Sequence, residues 1–408
     1  VIWIKSIDLC KLYQSKQMVK TRVLISLLTI FVLIFFGGIA VFYARGFRLQ
    51  RSDDQQIEIS TRGLLSITTE PNAAEVYVDG ELKTASNATI SLEPGEYSVR
   101  VRKEGFLPWE KTIKIEKEVV TPVFVSLVSS APSLSALTSQ GAINPTLSYD
   151  GTKLAYGRSS EDKNEADKNG IWVYELTSLP LGFNRQPRQV TDVETRTSSW
   201  EWSFDGNSLL INTKTGSYLI DTNTFTEIRN ARVLTPTQIE ELKADWKNTM
   251  NVQTEAQLSS IEDKIKQALI PSSANRIMSP DETKVLYEAT KSATLLRAER
   301  QLPGSSTQTE TREIKSGFKY VYDIKEDRNF EVGRSEDLLM WSNNSHNLIQ
   351  VERGSISVKD YDNTNKQLVF AGNFLYPYVF SGLGGGRILV TTSLGAEGDA
   401  NLYWLVLR

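Results

Sequence analysis

Apolar and polar residues alternate almost without error from Glu93 to Trp109, in EPGEYSVRVRKEGFLPW. Tyr97, Val99 and Val101 fall on one side, and Ser98, Arg100 and Arg102 on the other. A period of two predicts a strand with one buried and one wet face. The same rhythm runs through GLLSITTEP (Leu65 and Ile67), AEVYVDG (Val76 and Val78) and WEKTIKIEKE (Trp109, Ile113 and Ile115). Asp79-Gly80 predicts a tight turn. Pro94-Gly95 predicts a hairpin turn, with φ preset at proline and positive φ at glycine. Pro122 in TPVFVSL points to an edge strand, which can spare an amide donor. Residues 63–127 therefore read as a small all-β unit.

Upstream the alternation gives way to an unbroken apolar run. Nothing between Arg22 and Arg45 is charged, in VLISLLTIFVLIFFGGIAVFYA, residues 23–44. At ~1.5 Å rise per residue such a helix spans about 33 Å, against a hydrocarbon core of about 30 Å. Apolar residues cover every face of this segment, which sets a membrane span above a buried core helix. The rival is a cleaved leader with a small-residue site at Gly38–Ala40. The run is long for a leader, and Phe42 and Tyr43 suit an interfacial anchor, so an uncleaved transmembrane helix is the reading adopted. Lys5, Lys11, Lys16, Lys20 and Arg22 precede it; Arg45, Arg48 and Arg51 follow, with Asp53 and Asp54. This bias predicts a cytoplasmic N-terminus, residues 1–22, and extracytoplasmic domains beyond a juxtamembrane linker, 45–62. The chain begins at Val1, and Met18 is an alternative start.

After a Ser-rich linker, 128–140, a third pattern recurs: LSYDGTKLAY at Leu147, WSFDGNSLLI at Trp202, MSPDETKVLY at Met278, WSNNSHNLIQ at Trp341 and SGLGGGRILV at Ser381. Each joins an apolar residue, a polar tight turn and an apolar strand. Asp suits the turn because it bonds nearby backbone, and Gly because it accepts positive φ. Each anchor is followed by a second strand–turn–strand, such as SYLIDTNTFTEI or SVKDYDNTNKQLV. Two hairpins per unit make a four-stranded sheet, and repetition of such sheets predicts a β-propeller over 141–408. Five blades are counted, six if one has lost its motif. The last unit ends one strand short, and a strand from 132–146 would complete it.

Between the second and third anchors the pattern turns helical, at 235–270. TPTQIEELKADWKN has Thr235 as N-cap, Pro236 at the first position and Gln238 as capping-box partner. TEAQLSSIEDKIKQAL carries Leu258, Ile261, Ile265 and Leu269 on one stripe. Either this insertion caps a face of the disc or it is a docking arm. Residues 301–316 read as a flexible loop.

SITTEPNAAEVYVDG, LEPGEYSVRVRKEGF and LPWEKTIKI resemble the PEGA domain family over residues 63–127. Pro71-Asn72-Ala73-Ala74 stands where the family has its eponymous corner, while KTASNATI replaces the usual Gly-x-Thr-Pro. The resemblance implies a small β-sandwich of bacterial and archaeal envelope proteins, without catalytic residues. The SxDGxxLxY repeat resembles that of TolB-type propellers, which implies a protein- or ligand-binding disc.

The fold expected is therefore mainly β: a transmembrane helix, a PEGA-like sandwich and a five-bladed propeller with a helical insertion. A net charge of −3 lends no support to a nucleic-acid partner. One histidine, His346, excludes any site that needs two, and one cysteine, Cys10, excludes an internal disulfide. His346 aligns with Thr152 in an exposed repeat turn, so a surface role is expected. GLGGGR, 382–387, leads into a strand and lacks the Lys-Ser/Thr of a phosphate loop, so it reads as a loosened blade turn. Glu161–Gly170 lacks calcium-loop spacing. No Gly-x-Ser-x-Gly occurs. No residue is assigned a catalytic, cofactor-binding, metal-binding or ligand-binding role, and no cofactor is expected.

The expected function is a non-enzymatic binding or scaffold protein of the bacterial envelope. It is held by the bilayer through 23–44, with envelope proteins or cell-wall glycan as partners. The alternative is an envelope hydrolase whose carboxylates meet in the propeller channel. A mechanical spacer is a third reading.

Overall fold

The computed structural model describes residues 27–41, 47–51, 57–160, 168–176, 186–299, 307–394 and 400–408, with backbone alone for 47–61. Contacts divide the chain into two compact units. One comprises Val1–Ser66, Thr89–Tyr97 and Lys114–Val123; the other comprises Ile67–Ala88, Ser98–Ile113 and Phe124–Arg408.

Residues 27–41 form helix α1, exposed along its whole length. Among the described residues no helix is long and apolar enough to cross a membrane. The flanks of the predicted span, 23–26 and 42–44, lie outside those residues, as do residues 1–22. Strands β1 (Phe47–Arg51) and β2 (Ile57–Thr61) pair antiparallel, with Phe47 opposite Thr61. A hairpin thus stands where a linker was expected: FRLQR and IEIST carry the same period of two as the later strands.

The all-β segment contains β3 (Gly63–Glu70), β4 (Glu75–Val78), β5 (Glu81–Ala85), β6 (Ala88–Leu92), β7 (Gly95–Arg102), β8 (Trp109–Ile115) and β9 (Val120–Ser126). They form two sheets, ordered β6-β3-β9 and β5-β4-β7-β8. The alternation holds: Leu65, Ile67, Val76, Val78, Val99, Val101, Trp109, Ile113 and Ile115 are all buried. Pro122 lies on an edge strand, as expected. Two local readings differ. Strand β7 begins at Gly95 itself, which is extended and does not take the positive φ assigned to it. Strand β5, ELKTA, is almost wholly exposed, so no apolar alternation announces it.

The second unit is a series of four-stranded antiparallel sheets, the arrangement of propeller blades. Strand β10 (Ser133–Ala136) comes first. The first sheet is β11 (Ile143–Leu147), β12 (Lys153–Arg158), β13 (Gly170–Glu175) and β14 (Arg188–Thr191). The second is β15 (Ser199–Trp202), β16 (Ser208–Asn212), β17 (Ser217–Asp221) and β18 (Val233–Leu234). Helices α2 (Pro236–Gln257) and α3 (Asp263–Leu269) follow. The third sheet takes β19 (Ser273–Met278), β20 (Lys284–Ala289), β23 (Phe318–Asp323) and β24 (Arg328–Arg334). It is interrupted by the pair β21 (Ala293–Thr294) and β22 (Glu313–Ile314), of which only β22 falls inside the segment 301–316 that reads in sequence as a loop. The fourth is β25 (Leu338–Trp341), β26 (Asn347–Glu352), β27 (Ser355–Asp360) and β28 (Gln367–Ala371). The fifth takes β29 (Val379–Ser381), β30 (Arg387–Thr392) and β31 (Asn401–Val406), and β10 completes it against β31, with Ser133 opposite Val406. The strand expected from 132–146 thus completes the last sheet, from within the segment 128–140 that reads as a linker.

The repeat motif is a hydrogen-bonded turn. Ser148 Oγ donates to Asp150 Oδ1 (2.6 Å) and accepts from the Lys153 amide (2.9 Å). Ser203 and Asp205 repeat this (2.6 and 2.9 Å), as do Ser279 and Asp281 (2.6 and 3.0 Å). In the fourth sheet Asn344 takes the aspartate's part, its Oδ1 accepting from the His346 and Asn347 amides. The next position needs positive φ: +71° at Gly151 and +65° at Gly206, with Glu282 and Ser345 held there at greater cost. The GLGGGR turn closes β29 onto β30 through Gly382 N to Arg387 O (2.9 Å).

Neighbouring sheets bury apolar clusters. Ala155 and Ile171 pack with Trp200, Leu209 and Ile211 between the first and second sheets. Leu154 and Tyr156 pack with Leu389 and Leu402 between first and fifth. Leu286 and Val321 meet Trp341 and Leu348 between third and fourth, and Ile349 and Val351 meet Ile388 and Val390 between fourth and fifth. On the opposite face of β20, Val285, Tyr287 and Ala289 meet Leu258, Ile261, Ile265 and Leu269. The insertion therefore covers one face of the third sheet, as a neighbouring sheet does elsewhere. The capping box at Thr235 and Gln238 forms as predicted, but α2 continues to Gln257 and has no buried residue.

Candidate functional site

Among the described residues a cluster of buried charge lies within the second unit, where strand β8 meets the β27–β28 turn. Trp109 is 4% exposed, and its Nε1–H donates to Asp360 Oδ2 (2.9 Å). Lys111 Nζ lies 2.5 Å from Asp362 Oδ2 and 3.6 Å from Asp360 Oδ2. Asn347 and Asn365 side-chain amides donate to Asp360, and Thr364 Oγ1 donates to Asp362 Oδ1 (2.6 Å). Asn365 Oδ1 accepts from the Glu110 amide, and Gln367 donates to Pro108 O. Burial pulls the Lys111 pKa down, but the two carboxylates outweigh it and hold the ammonium above its ordinary range. Burial pushes the Asp360 carboxyl up, with Lys111 opposing. Tyr361 lies between two cations, Lys284 at 4.9 Å and Lys111 at 6.0 Å from its ring.

His346 completes this region. It stands in the repeat turn, as its alignment with Thr152 predicts, but it is not an exposed residue. Its ring stacks on Phe124, with centroids 4.3 Å apart. Burial, with the nearby Lys284 charge, lowers its pKa to about 4, so the imidazole is neutral near pH 7. Further along, Val128 joins the core between the fourth and fifth sheets, and Ser129 N donates to Leu407 O. Arg408 is held by Glu70, by Ser126 Oγ and by Gly385 O.

The outward face of the β4–β7–β8 sheet is open and polar. Two clefts share Arg102. One, of about 220 Å³, is lined by Tyr77, Gly80, Ser98, Arg100, Arg102 and Glu110. The other, of about 770 Å³, runs past Lys103 and Glu104 to Phe106 and Pro108. Arg100 pairs with Glu110 (2.7 Å), and Tyr77 OH donates to Glu75 (2.9 Å). Lys103 Nζ donates to the carbonyls of Asn72 (2.7 Å) and Ala73 (3.2 Å), pinning the Pro71–Ala74 corner to the Lys103–Phe106 corner.

Two corner motifs far apart in sequence are thus one joint, and residues 62–131 match the PEGA domain. The chain carries a PEGA domain. No curated protein matches the chain. Solved structures similar to it include TolB from Acinetobacter baumannii, at 13% identity, covering 76% of this chain and 62% of that one, TM-score 0.21. The propeller domain of the Trilobed protease from Pyrococcus furiosus is 14% identical over 85% and 96%, TM-score 0.21. The AfRom2 CNH domain is 11% identical over 68% and 100%, TM-score 0.32. At these scores the blade-like architecture rests on the strand order of this chain.

The PEGA family pattern locates neither the Lys111 cluster nor Arg102. WEKTIKI marks Lys111 only as a polar position on the wet face of β8, where a solvated side chain is the ordinary outcome. Its side chain is instead 8% exposed, because the β27–β28 turn covers it. Among the described residues no group of three or more His, Cys, Asp or Glu side chains could hold a metal ion.

Proposed function

We propose that this chain is a single-pass membrane protein of the bacterial envelope whose extracytoplasmic PEGA domain and propeller bind protein or glycan as a scaffold. The five sheets are read as blades of one five-bladed propeller, completed by β10. The observation that carries the reading is α1: an apolar helix, exposed throughout, leading into display-type β modules. So much unburied apolar surface is stabilised by lipid and not by water. The flanking basic residues favour an N-terminus in the cytoplasm.

The buried carboxylates favour binding over hydrolysis. Asp360 and Asp362 face Lys111, Asp323 faces Lys284, and Asp327 faces Arg312. A hydrolase needs acids free to exchange protons with a substrate, and these are spent on internal ion pairs.

The test uses single cysteines in a Cys10→Ser background, at Lys20 or at the exposed Lys214, with a membrane-impermeant maleimide. Labelling of the Lys214→Cys variant in intact cells, with the Lys20→Cys variant labelled only after permeabilisation, is the expected result. The reverse pattern overturns the topology. Capture from envelope fractions then tests the binding role, and recovery of nothing above background counts against it.

A further inference from the structure

The reading above leaves the ligand class open, and the outward PEGA face narrows it. Three cations line the two clefts. Arg100 is occupied by Glu110 and Lys103 by backbone carbonyls. Arg102 is exposed, is shared by both clefts, and makes no hydrogen bond or ion pair among the described residues. We propose that this face binds a hydroxyl-rich glycan carrying widely spaced carboxylates, with one carboxylate on Arg102.

Each part of that ligand answers a feature of the face. A guanidinium fork matches a carboxylate through two parallel hydrogen bonds, and of the two guanidiniums lining these clefts Arg100 is already paired and Arg102 is not, among the described residues. Glu75, Glu104 and Glu110 line the clefts beside it, so a densely anionic chain is opposed by carboxylates there. A neutral chain leaves the guanidinium without its partner. Sugar hydroxyls, which donate and accept, suit the remaining groups: Ser98, the Tyr77 hydroxyl and the Arg100–Glu110 pair, which is preorganised by its own contact. The apolar faces of sugar rings have partners in Tyr77 in the smaller cleft and in Phe106 and Pro108 in the larger. The larger cleft falls within the size range of small-ligand sites, about 300–1,000 Å³.

The proposal rests on the binding role proposed above but fails separately from it, since membrane topology and partner capture do not involve Arg102. The experiment is calorimetric titration of the full chain in detergent with three probes. They are a hexasaccharide alternating glucuronate and N-acetylglucosamine, neutral chitohexaose, and hexaglutamate. The alternating acidic sugar is expected to bind at least about tenfold tighter than either other probe. Arg102→Ala is expected to lose at least about tenfold of that affinity, Arg102→Lys to lose less, and Lys214→Ala to lose nothing. Among the described residues Arg102 makes no hydrogen bond or ion pair, so its variants are expected to fold, which an unchanged thermal midpoint checks. No binding of the acidic sugar, equal binding of all three probes, or full affinity in Arg102→Ala overturns the proposal.

Discussion

The Lys111 ammonium lies 2.5 Å from Asp362 Oδ2, so a strand of the PEGA segment supplies the cation for a turn in the fourth blade-like sheet. Within the second unit this contact is surrounded by hydrogen bonds from Trp109, Asn347, Asn365 and Thr364. A buried ion pair adds little over an apolar replacement, but removing one partner leaves the other charge stranded.

Lys111→Met is therefore expected to cost about 3–5 kcal/mol, read as a lowered urea midpoint of the full chain in detergent. The triple change K111M/D360N/D362N is expected to recover much of the loss, because no uncompensated charge remains. A single variant as stable as the parent would show that the cluster is not closed to water.

His346 sets a pH dependence. Its pKa is about 4 in the folded chain and about 6.5 unfolded, so the unfolded state takes up the proton first. The stability is present in full above pH 6.5 and is lost as pH falls towards 4, by at most about 3 kcal/mol. His346→Phe keeps the stacking on Phe124 and is expected to flatten that part of the profile. The difference between the two denaturation curves isolates the imidazole from carboxylates that titrate in the same range.

The repeat turn can be tested at Asp205, which accepts from Ser203 Oγ and from the Asn207 amide and side chain. The Ser203 hydrogen bond, with those from Asn207, holds its carboxyl below the usual range. Asp205→Ala is expected to cost about 1–2 kcal/mol by thermal unfolding. Asp205→Asn should cost less, since Asn344 fills the same position in the fourth sheet.

Ile265 is fully buried between α3 and the third sheet. Ile265→Ala is expected to cost about 2–5 kcal/mol, as in a sheet–sheet core. A loss below about 0.5 kcal/mol would mean that the insertion is an appendage.

The sequence is most readable where pattern and contact are local. Leu65, Val99 and Ile113 alternate because the sheet buries every second side chain. The Ser-x-Asp-Gly turns are legible because all their hydrogen bonds lie within six residues, and the Thr235 capping box because it closes within one helical turn. Lys111 was not legible as a buried cation, since its partners come from a turn far along the chain. Residue type at β8 says nothing of what covers it. His346 departs from its surface expectation for the same reason: its turn is exposed by local rule, and Phe124 covers it. Gly95 shows the opposite error, a turn residue taken at its word where the strand had already begun.

The β10–β31 pairing has an outcome for biosynthesis. Ser133 leaves the ribosome before any of the repeat array, yet its partner, Val406, comes at the far end of that array. Strand β10 must stay without this partner until Asn401–Val406 has been made, with its amide edge open to any passing strand. Its exposed serines and short length limit mispairing during that wait. Once joined, β10 ties the start of the repeat array to its fifth sheet without any covalent cross-link between them.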